Sequence, residues 1–288
     1  MTKRLVVTFG FWNVNSRSST DERGISELAA NFALENALEI LFLIECAIPY
    51  EKLIRAFKEE RRCSPIVCGD RFKVIARFDQ RFMKRLEIPI PSDRFDIWHL
   101  TLPFQVDLML ALVHGLDKRN NSPAKQELLM QQLVGALSFC ETAIGHNRSV
   151  VFGDFNANPF ESPIAGATGL HAVVSKTIAQ SQPRTMFDKE YPYFYNPMWN
   201  LYGDEPESSA PATYYYRGSD PHELYWHMLD QVLIRPSLLN RFDFSSLRIV
   251  TTLNGTKLIS KTGYPDQVRF SDHLPVVFEL NLSETSEE

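Results

Sequence analysis

The chain has 288 residues, 44% of them hydrophobic and 12% aromatic, which is ample for the packed core of a globular protein. A formal net charge of -5 excludes a uniformly basic surface for coating nucleic acid or membrane, but leaves room for a local basic patch. Four cysteines are too few and too scattered for a disulfide framework, and Cys63 and Cys68 lack the nearby histidines of a zinc site, so all four are read as reduced thiols.

MTKRLVVTFGFW begins like a signal peptide, but no small-residue cleavage site follows and the chain turns polar at once. It is read as a first strand over Leu5 to Trp12 that runs into Asn13. Ser16 to Arg23 reads as a linker. Gly24 to Leu38 reads as a helix with Ile25, Leu28, Ala29 and Phe32 on one face. Ile40 to Ile44 is an apolar strand that runs directly into Glu45. A carboxylate in such surroundings must pair with a cation, bind a metal or shift its pKa.

From Glu51 to Arg94 there are 12 Lys and Arg against 7 Asp and Glu, so the basic charge is concentrated in one region. That region includes Lys52, Arg55, Lys58, Arg61, Arg62, Arg71, Lys73 and Arg77. It contains a strand at Phe72 to Ala76, and further strands follow at Phe95 to Leu102 and Leu108 to Val113, the last ending in His114. The clearest helix opens at Ser122 as N-cap with Pro123 at its first position. It carries Leu129, Leu133, Leu137, Cys140 and Ile144 as a stripe, and Gly145 is placed to end it.

A buried strand over Val150 to Phe152 leads into Gly153-Asp154-Phe155-Asn156, and alternation puts Asp154 and Asn156 on one face with Phe155 turned to the core. Phe187 to Trp226 holds 12 of the 34 aromatic residues and reads as long aromatic-rich loops. Glu205 to Pro211 reads as a second linker-like stretch. Strands at Leu229 to Ile234, which contains Asp230, and at Val276 to Leu280, preceded by Asp272 and His273, complete the pattern. One α/β domain over residues 1–282 with a frayed tail at 283–288 fits best. No apolar run reaches the length of a membrane span, so no stable membrane insertion and a cytoplasmic location are expected.

Taken singly, each polar residue at a strand end is more commonly a turn former or cap than a catalyst. Taken together they resemble the endonuclease/exonuclease/phosphatase superfamily, of which deoxyribonuclease I is a member. The landmarks occur in family order along nearly the whole chain: Trp12-Asn13, Glu45, His114, GDFN from Gly153 to Asn156, LDQVLI around Asp230, and SDHLPV from Ser271 to Val276. The resemblance implies a four-layer αββα sandwich of two packed mixed sheets flanked by helices. It also implies Mg²⁺- or Mn²⁺-dependent hydrolysis of a phosphate ester by an activated water. Glu45 and Asp272, with Asn13 beside them, would hold the metal. Asp154, Asn156, His114, Asp230 and His273 would be catalytic: Asp230 orienting His273, Asp154 positioning or deprotonating the water, Asn156 and His114 donating to the phosphoryl oxygens.

Ile44 stands where many members have Gln, Val113 where Thr is common, and Gln231 where abasic-site endonucleases have an aromatic residue, so the match carries the chemistry and leaves the substrate open. A nuclease acting on DNA or RNA is the first reading. Lys52 and Arg55 would meet the phosphate backbone, and Tyr214, Tyr215, Tyr216 and Arg217 would meet unpaired bases. The alternative is a phosphatase or phosphodiesterase for a small molecule or lipid headgroup, which the acidic overall charge favours. A catalytically silent binding module is a third reading, and the intact polar set speaks against it.

Overall fold

The computed structural model describes residues 6–16, 18–59, 64–66, 71–103, 105–181, 183–204 and 210–283. Arg61, Arg62, Cys63, Cys68, most of the second linker-like stretch and residues 284–288 of the tail lie outside them. In chain order the strands begin β1 (Val6–Ser16), β2 (Ile40–Cys46), β3 (Ser64–Ile66), β4 (Phe72–Ala76), β5 (Met83–Arg85), β6 (Phe95–Leu100), β7 (Leu108–His114), β8 (Ser149–Asp154) and β9 (Ala172–Val173). They continue β10 (Arg184–Met186), β11 (Lys189–Tyr191), β12 (Phe194–Tyr195), β13 (Tyr214–Tyr215), β14 (Trp226–His227), β15 (Asp230–Ile234), β16 (Phe242–Ile249), β17 (Thr252–Leu253), β18 (Thr256–Lys257) and β19 (Val276–Asn281). The helices are α1 (Ile25–Glu35), α2 (Tyr50–Glu59), α3 (Pro123–Ile144) and two single turns, α4 (Ser162–Ala165) and α5 (Lys176–Ala179).

One sheet has the order β16-β19-β1-β2-β4-β3 and the other β5-β6-β7-β8-β15-β12-β9; both are mixed. The period-2 alternation of side chains explains why they stack. Phe9, Phe11, Ile40, Phe42, Leu110, Leu112, Val150, Phe152 and Val232 face inward and form one core between the sheets. Their neighbours face outward. Trp12, Val14, Leu41, Leu43 and Ile75 pack under α1 and α2, and Met109, Ala111, Val113, Val151 and Leu233 pack under Leu129, Leu133, Leu137 and Cys140 of α3. The result is the four-layer αββα sandwich. The α3 termini match the sequence signals, with Ser122 accepting from the Lys125 N–H and Gly145 in the left-handed region at φ 87°.

Three expectations need correction. Ser16 to Arg23 is not a free linker: Arg23 donates to the carbonyls of Val14, Asn15 and Phe270, and Asp21 accepts from the N–H groups that open α1. Phe187 to Trp226 is not simply loop, because backbone pairing puts Phe194 and Tyr195 into the second sheet and makes a ribbon of β13 and β14. Ser283, placed in the frayed tail, bridges to Gln105. Among the described residues Cys46 and Cys140 are buried free thiols, as read from their spacing. No helix of the described residues is long and apolar enough to cross a membrane.

Away from the strand ends named above, Asp107 is held by His99 Nε2 at 2.7 Å, by His146 Nε2 at 3.0 Å and by the Arg148 guanidinium. Burial opposes the Asp107 charge, but these three partners hold its carboxyl well below the usual range. Burial also lowers His146. Both folded-state pKa values lie below the unfolded ones, so the unfolded chain binds more protons and stability is lost as the pH is lowered. The fall runs through about 6.5 for the histidine and then below about 3.9 for the aspartate. Asp107→Asn is expected to flatten the acid limb of the Tm-versus-pH curve below about pH 4. An unchanged limb in calorimetry would exclude this source of acid sensitivity.

Candidate active site

The site lies at the rim of the cleft between the sheets, where β1, β2, β7 and β8 end and β15 begins. Alternation accounts for most of it. His114 follows the inward residues Leu110 and Leu112, Asp154 follows Val150 and Phe152, and Asp230 precedes Val232. Sheet register places His114, Asp154 and Asp230 in one row, with Asp154 paired to both neighbours.

Glu45 breaks the alternation. Leu41 and Leu43 face α1 and α2, so continued extended backbone would turn Glu45 the same way. Its backbone is instead left-handed at φ 49°, beside an irregularity in the β1–β2 pairing, and its carboxylate enters the cleft. A non-glycine residue held there carries strain, which is characteristic of functional sites. Asn156 is likewise left-handed at φ 51°. Gly153 has φ 140°, and a Cβ there would lie 2.1 Å from the Val113 carbonyl oxygen, so no other residue fits.

Asn13, 1% exposed, sets its Nδ2 3.2 Å from Glu45 Oε1 and 3.0 Å from Asp154 Oδ2, while its Oδ1 accepts from the Asn15 N–H. It therefore clamps two carboxylates, and its oxygen is turned away from them. His114 Nε2 stands 3.2 Å from Glu45 Oε1. That hydrogen bond, against the cost of burial, holds the Glu45 carboxyl down at about 2. Asp154 accepts from the Asn156 N–H at 2.8 Å, and Asn156 Nδ2 lies 3.3 Å from both Asp154 Oδ2 and the Gly115 carbonyl.

His273 Nδ1 is 2.8 Å from Asp230 Oδ2, which leaves Nε2 facing Asp154 Oδ2 across 3.9 Å. Burial pushes Asp154 up, opposed by the nearby His273 charge. Burial would lower His273, but Asp230 and Asp154 outweigh it and raise its pKa. The Trp12 indole donates to the His273 carbonyl at 3.0 Å. Ser271 Oγ donates to the Asn13 carbonyl at 2.7 Å and accepts from the His273 N–H. The first and last sequence landmarks thus lock each other in place.

A cavity of about 560 Å³ opens over this array and is also lined by Arg71, Arg94, Lys118, Arg119, Tyr214, Tyr216, His227 and Asp272. The oxygen and nitrogen atoms of Glu45, His114 and Asp154 gather within 4.8 Å of one another, as do those of Asp154, Asp230 and His273. Asp272 lines the cavity outside both groups, its Oδ1 accepting from Asn15 Nδ2 at 2.9 Å. Several carboxylates crowded at one cleft suit a hard divalent cation, which takes oxygen ligands; Glu45 and Asp272 are half-buried, whereas Asp154 and Asp230 are buried.

The expected substrate contacts divide. Tyr214 places its ring 4.7 Å from that of His273, and burial pushes its hydroxyl up to about 12. Tyr216 also lines the cavity, under Arg119. Tyr215 instead stacks on Tyr264 at 3.7 Å, and Arg217 is exposed away from the lining. Lys52 is turned to the Ser19 and Thr20 carbonyls, and neither it nor the exposed Arg55 lines the cavity. Both sit on α2, which uses Leu53 and Phe57 to pack on the outer face. Among the described residues, the Lys and Arg that do line the cavity are Arg71 and Arg94, from the same basic segment, and Lys118 and Arg119. Asn15 and His227 were also missed. Asn15 sits two residues from Asn13 and His227 three before Asp230, and proximity to those landmarks was their only signal.

No family model matches the chain, and no curated protein matches it. Solved structures do match over nearly full length. A Neisseria 3′ phosphatase, NExo, bound to a product DNA hairpin is 16% identical with a TM-score of 0.55, over 96% of this chain and 99% of that one. D. rerio TDP2 complexed with a single-strand DNA product is 15% identical with a TM-score of 0.55, again over 96% and 99%. An endonuclease/exonuclease/phosphatase family protein from Bacteroides thetaiotaomicron is 12% identical with a TM-score of 0.56, over 98% and 100%. At these identities the likeness is one of fold.

Proposed function

We propose that this chain, which has the fold of the endonuclease/exonuclease/phosphatase proteins, is a divalent-metal-dependent phosphoester hydrolase, and that it acts as a nuclease on DNA or RNA. The observation that carries the reading is the His114–Asp154–Asp230–His273 array held beside Glu45 at the floor of a cavity rimmed by arginine and lysine. Relatives of fold that carry bound DNA products support the choice of a nucleic acid.

Glu45 and Asp272 would hold Mg²⁺ or Mn²⁺, which supplies positive charge against the phosphoryl group and the departing oxygen. Asn13 keeps Glu45 and Asp154 in register by donating to both. Asp154 orients the attacking water and takes its proton as the new P–O bond forms. His114 and Asn156 donate to the non-bridging oxygens, where charge builds in the transition state. Asp230 fixes the His273 ring so that Nε2 points into the cleft, and its charge favours the imidazolium facing the phosphate.

EDTA is expected to abolish turnover of labelled DNA or RNA, and Mg²⁺ or Mn²⁺ to restore it. Cleavage should also weaken steeply with salt: if the four cavity cations each meet a phosphate of a single strand, the slope of log affinity on log salt is about -3. Turnover that survives exhaustive chelation would remove the metal from the mechanism. Salt-insensitive release of phosphate from a small ester would favour the phosphatase alternative.

A further inference from the structure

A second cavity, of about 740 Å³, opens beside the catalytic one and shares Glu45, Arg71 and His114 with it. It lies at the same rim, walled by Cys46, Ala47 and Phe72 on one side and by Arg85, Pro91 and Asp96 on the other. Two buried polar atoms on its lining have no hydrogen-bond partner among the described residues: Asp96 Oδ2 and Arg71 Nε.

Asp96 is 3% exposed, and Arg85 occupies only its Oδ1, with Nε at 2.8 Å and Nη2 close by. Burial pushes its carboxyl above the ordinary carboxylate range, with Arg85 opposing. Arg71 Nη1 donates to His114 Nδ1 at 3.2 Å and Nη2 to Asp93 at 2.7 Å, while the buried Nε–H has no partner among the described residues. A buried acceptor and a buried donor without partners, on two residues that line the same cavity, are costly unless a ligand or water meets them.

We infer that this cavity receives the nucleobase next to the scissile phosphodiester, an N–H of the base donating to Asp96 Oδ2 and a ring nitrogen or carbonyl of the base accepting from Arg71 Nε. The inference rests on the nuclease reading and names the subsite that reading lacks. Every nucleobase carries a donor beside an acceptor on one edge, and its faces are apolar, as are Phe72, Cys46 and Pro91. A second phosphate or a phosphorylated headgroup does not suit the cavity, because Asp93 and Asp96 would repel it. The shared wall of Glu45, Arg71 and His114 sets the base one step from the phosphorus.

The test uses the full chain with Mg²⁺ and three esters with a single cleavable bond. They are thymidine 3′-(p-nitrophenyl phosphate), thymidine 5′-(p-nitrophenyl phosphate) and methyl p-nitrophenyl phosphate, which has no base. One thymidine ester is expected to exceed the methyl ester by roughly tenfold in kcat/KM, the scale of one hydrogen bond to a charged group. Asp96→Asn keeps an acceptor for Arg85 but presents N–H to the base, and should cut that ratio below about threefold with the methyl ester unchanged. Ala47→Phe, at an exposed position on the cavity mouth, should do the same and covers the case in which Asp96→Asn fails to fold. If neither thymidine ester is preferred, or if both variants keep the preference, the base site is overturned and the cavity holds water only. If no ester and no oligonucleotide is hydrolysed, the hydrolase reading itself falls and takes this inference with it.

Discussion

Asp154→Asn is expected to cut phosphoester turnover by about 10³-fold or more while leaving the fold intact, because it removes the proton acceptor and little else. Asp154 is 1% exposed and satisfied by donors: the Asn156 N–H on one oxygen, Asn13 Nδ2 and Asn156 Nδ2 on the other. A carboxamide at this position still offers one acceptor oxygen, but turns an NH2 group toward the donors that met the other oxygen. It also removes a negative charge from beside Asp230, whose Oδ1 has no hydrogen-bond partner among the described residues. These effects oppose one another, so thermal stability should change little, the pattern of a residue retained for activity rather than for the fold. His273→Ala should lose a comparable amount, and the double variant little more than either single one, because the two groups act on one water and one phosphorus. Near-full activity in Asp154→Asn, measured on any ester that the wild type cleaves, would overturn the assignment.

Glu141→Ala is expected to destabilise the protein by about 3–5 kcal/mol, the cost of leaving a buried charge unpaired. Arg235 is 2% exposed. Its Nε and Nη2 meet the two Glu141 oxygens at 2.9 Å and 3.1 Å, and its guanidinium lies over the Phe194 ring at 4.0 Å. Glu141 Oε1 also accepts from Ser149 Oγ at 2.8 Å, so the loss reaches the first residue of β8. The pair ties α3 to the sheet that carries His114, Asp154 and Asp230, but touches none of them. Urea unfolding should show a lower midpoint at unchanged slope, with activity per folded molecule preserved below the transition. A shift under about 1 kcal/mol would mean that water reaches Arg235 and screens it.

The strands carrying His114, Asp154 and Asp230 were legible because alternation is local. Two inward apolar residues at alternate positions, before His114 and Asp154 and after Asp230, fix the face each polar one takes, and extended backbone leaves no choice. The α3 boundaries were legible for the same reason, since caps act within one turn. Lys52 and Arg55 lie off the cavity lining because distance along the chain from Glu45 says nothing about direction. On a helix whose apolar stripe faces the sheet, they are carried to the outer surface, whereas Arg71, just before β4, is brought to the cleft. The aromatic segment was misjudged because strands of two residues have no readable period, and only their partners define them.

From the sequence by itself came the alternation of apolar and polar residues that builds two sheets, and the polar residues that alternation delivers to one rim. Only the tertiary structure decided what those residues do to one another. Glu45 reaches the cleft through a left-handed backbone that contradicts its strand parity, which pairing with β1 and the contacts with Asn13 and His114 hold in place. Arg235 finds Glu141 across 94 residues. Asp96 keeps one buried oxygen without a partner among the described residues, beside a cavity that neither sheet forms alone. Each depends on contacts between segments far apart in the chain, where the energy of a charge is set by partners that no local pattern contains.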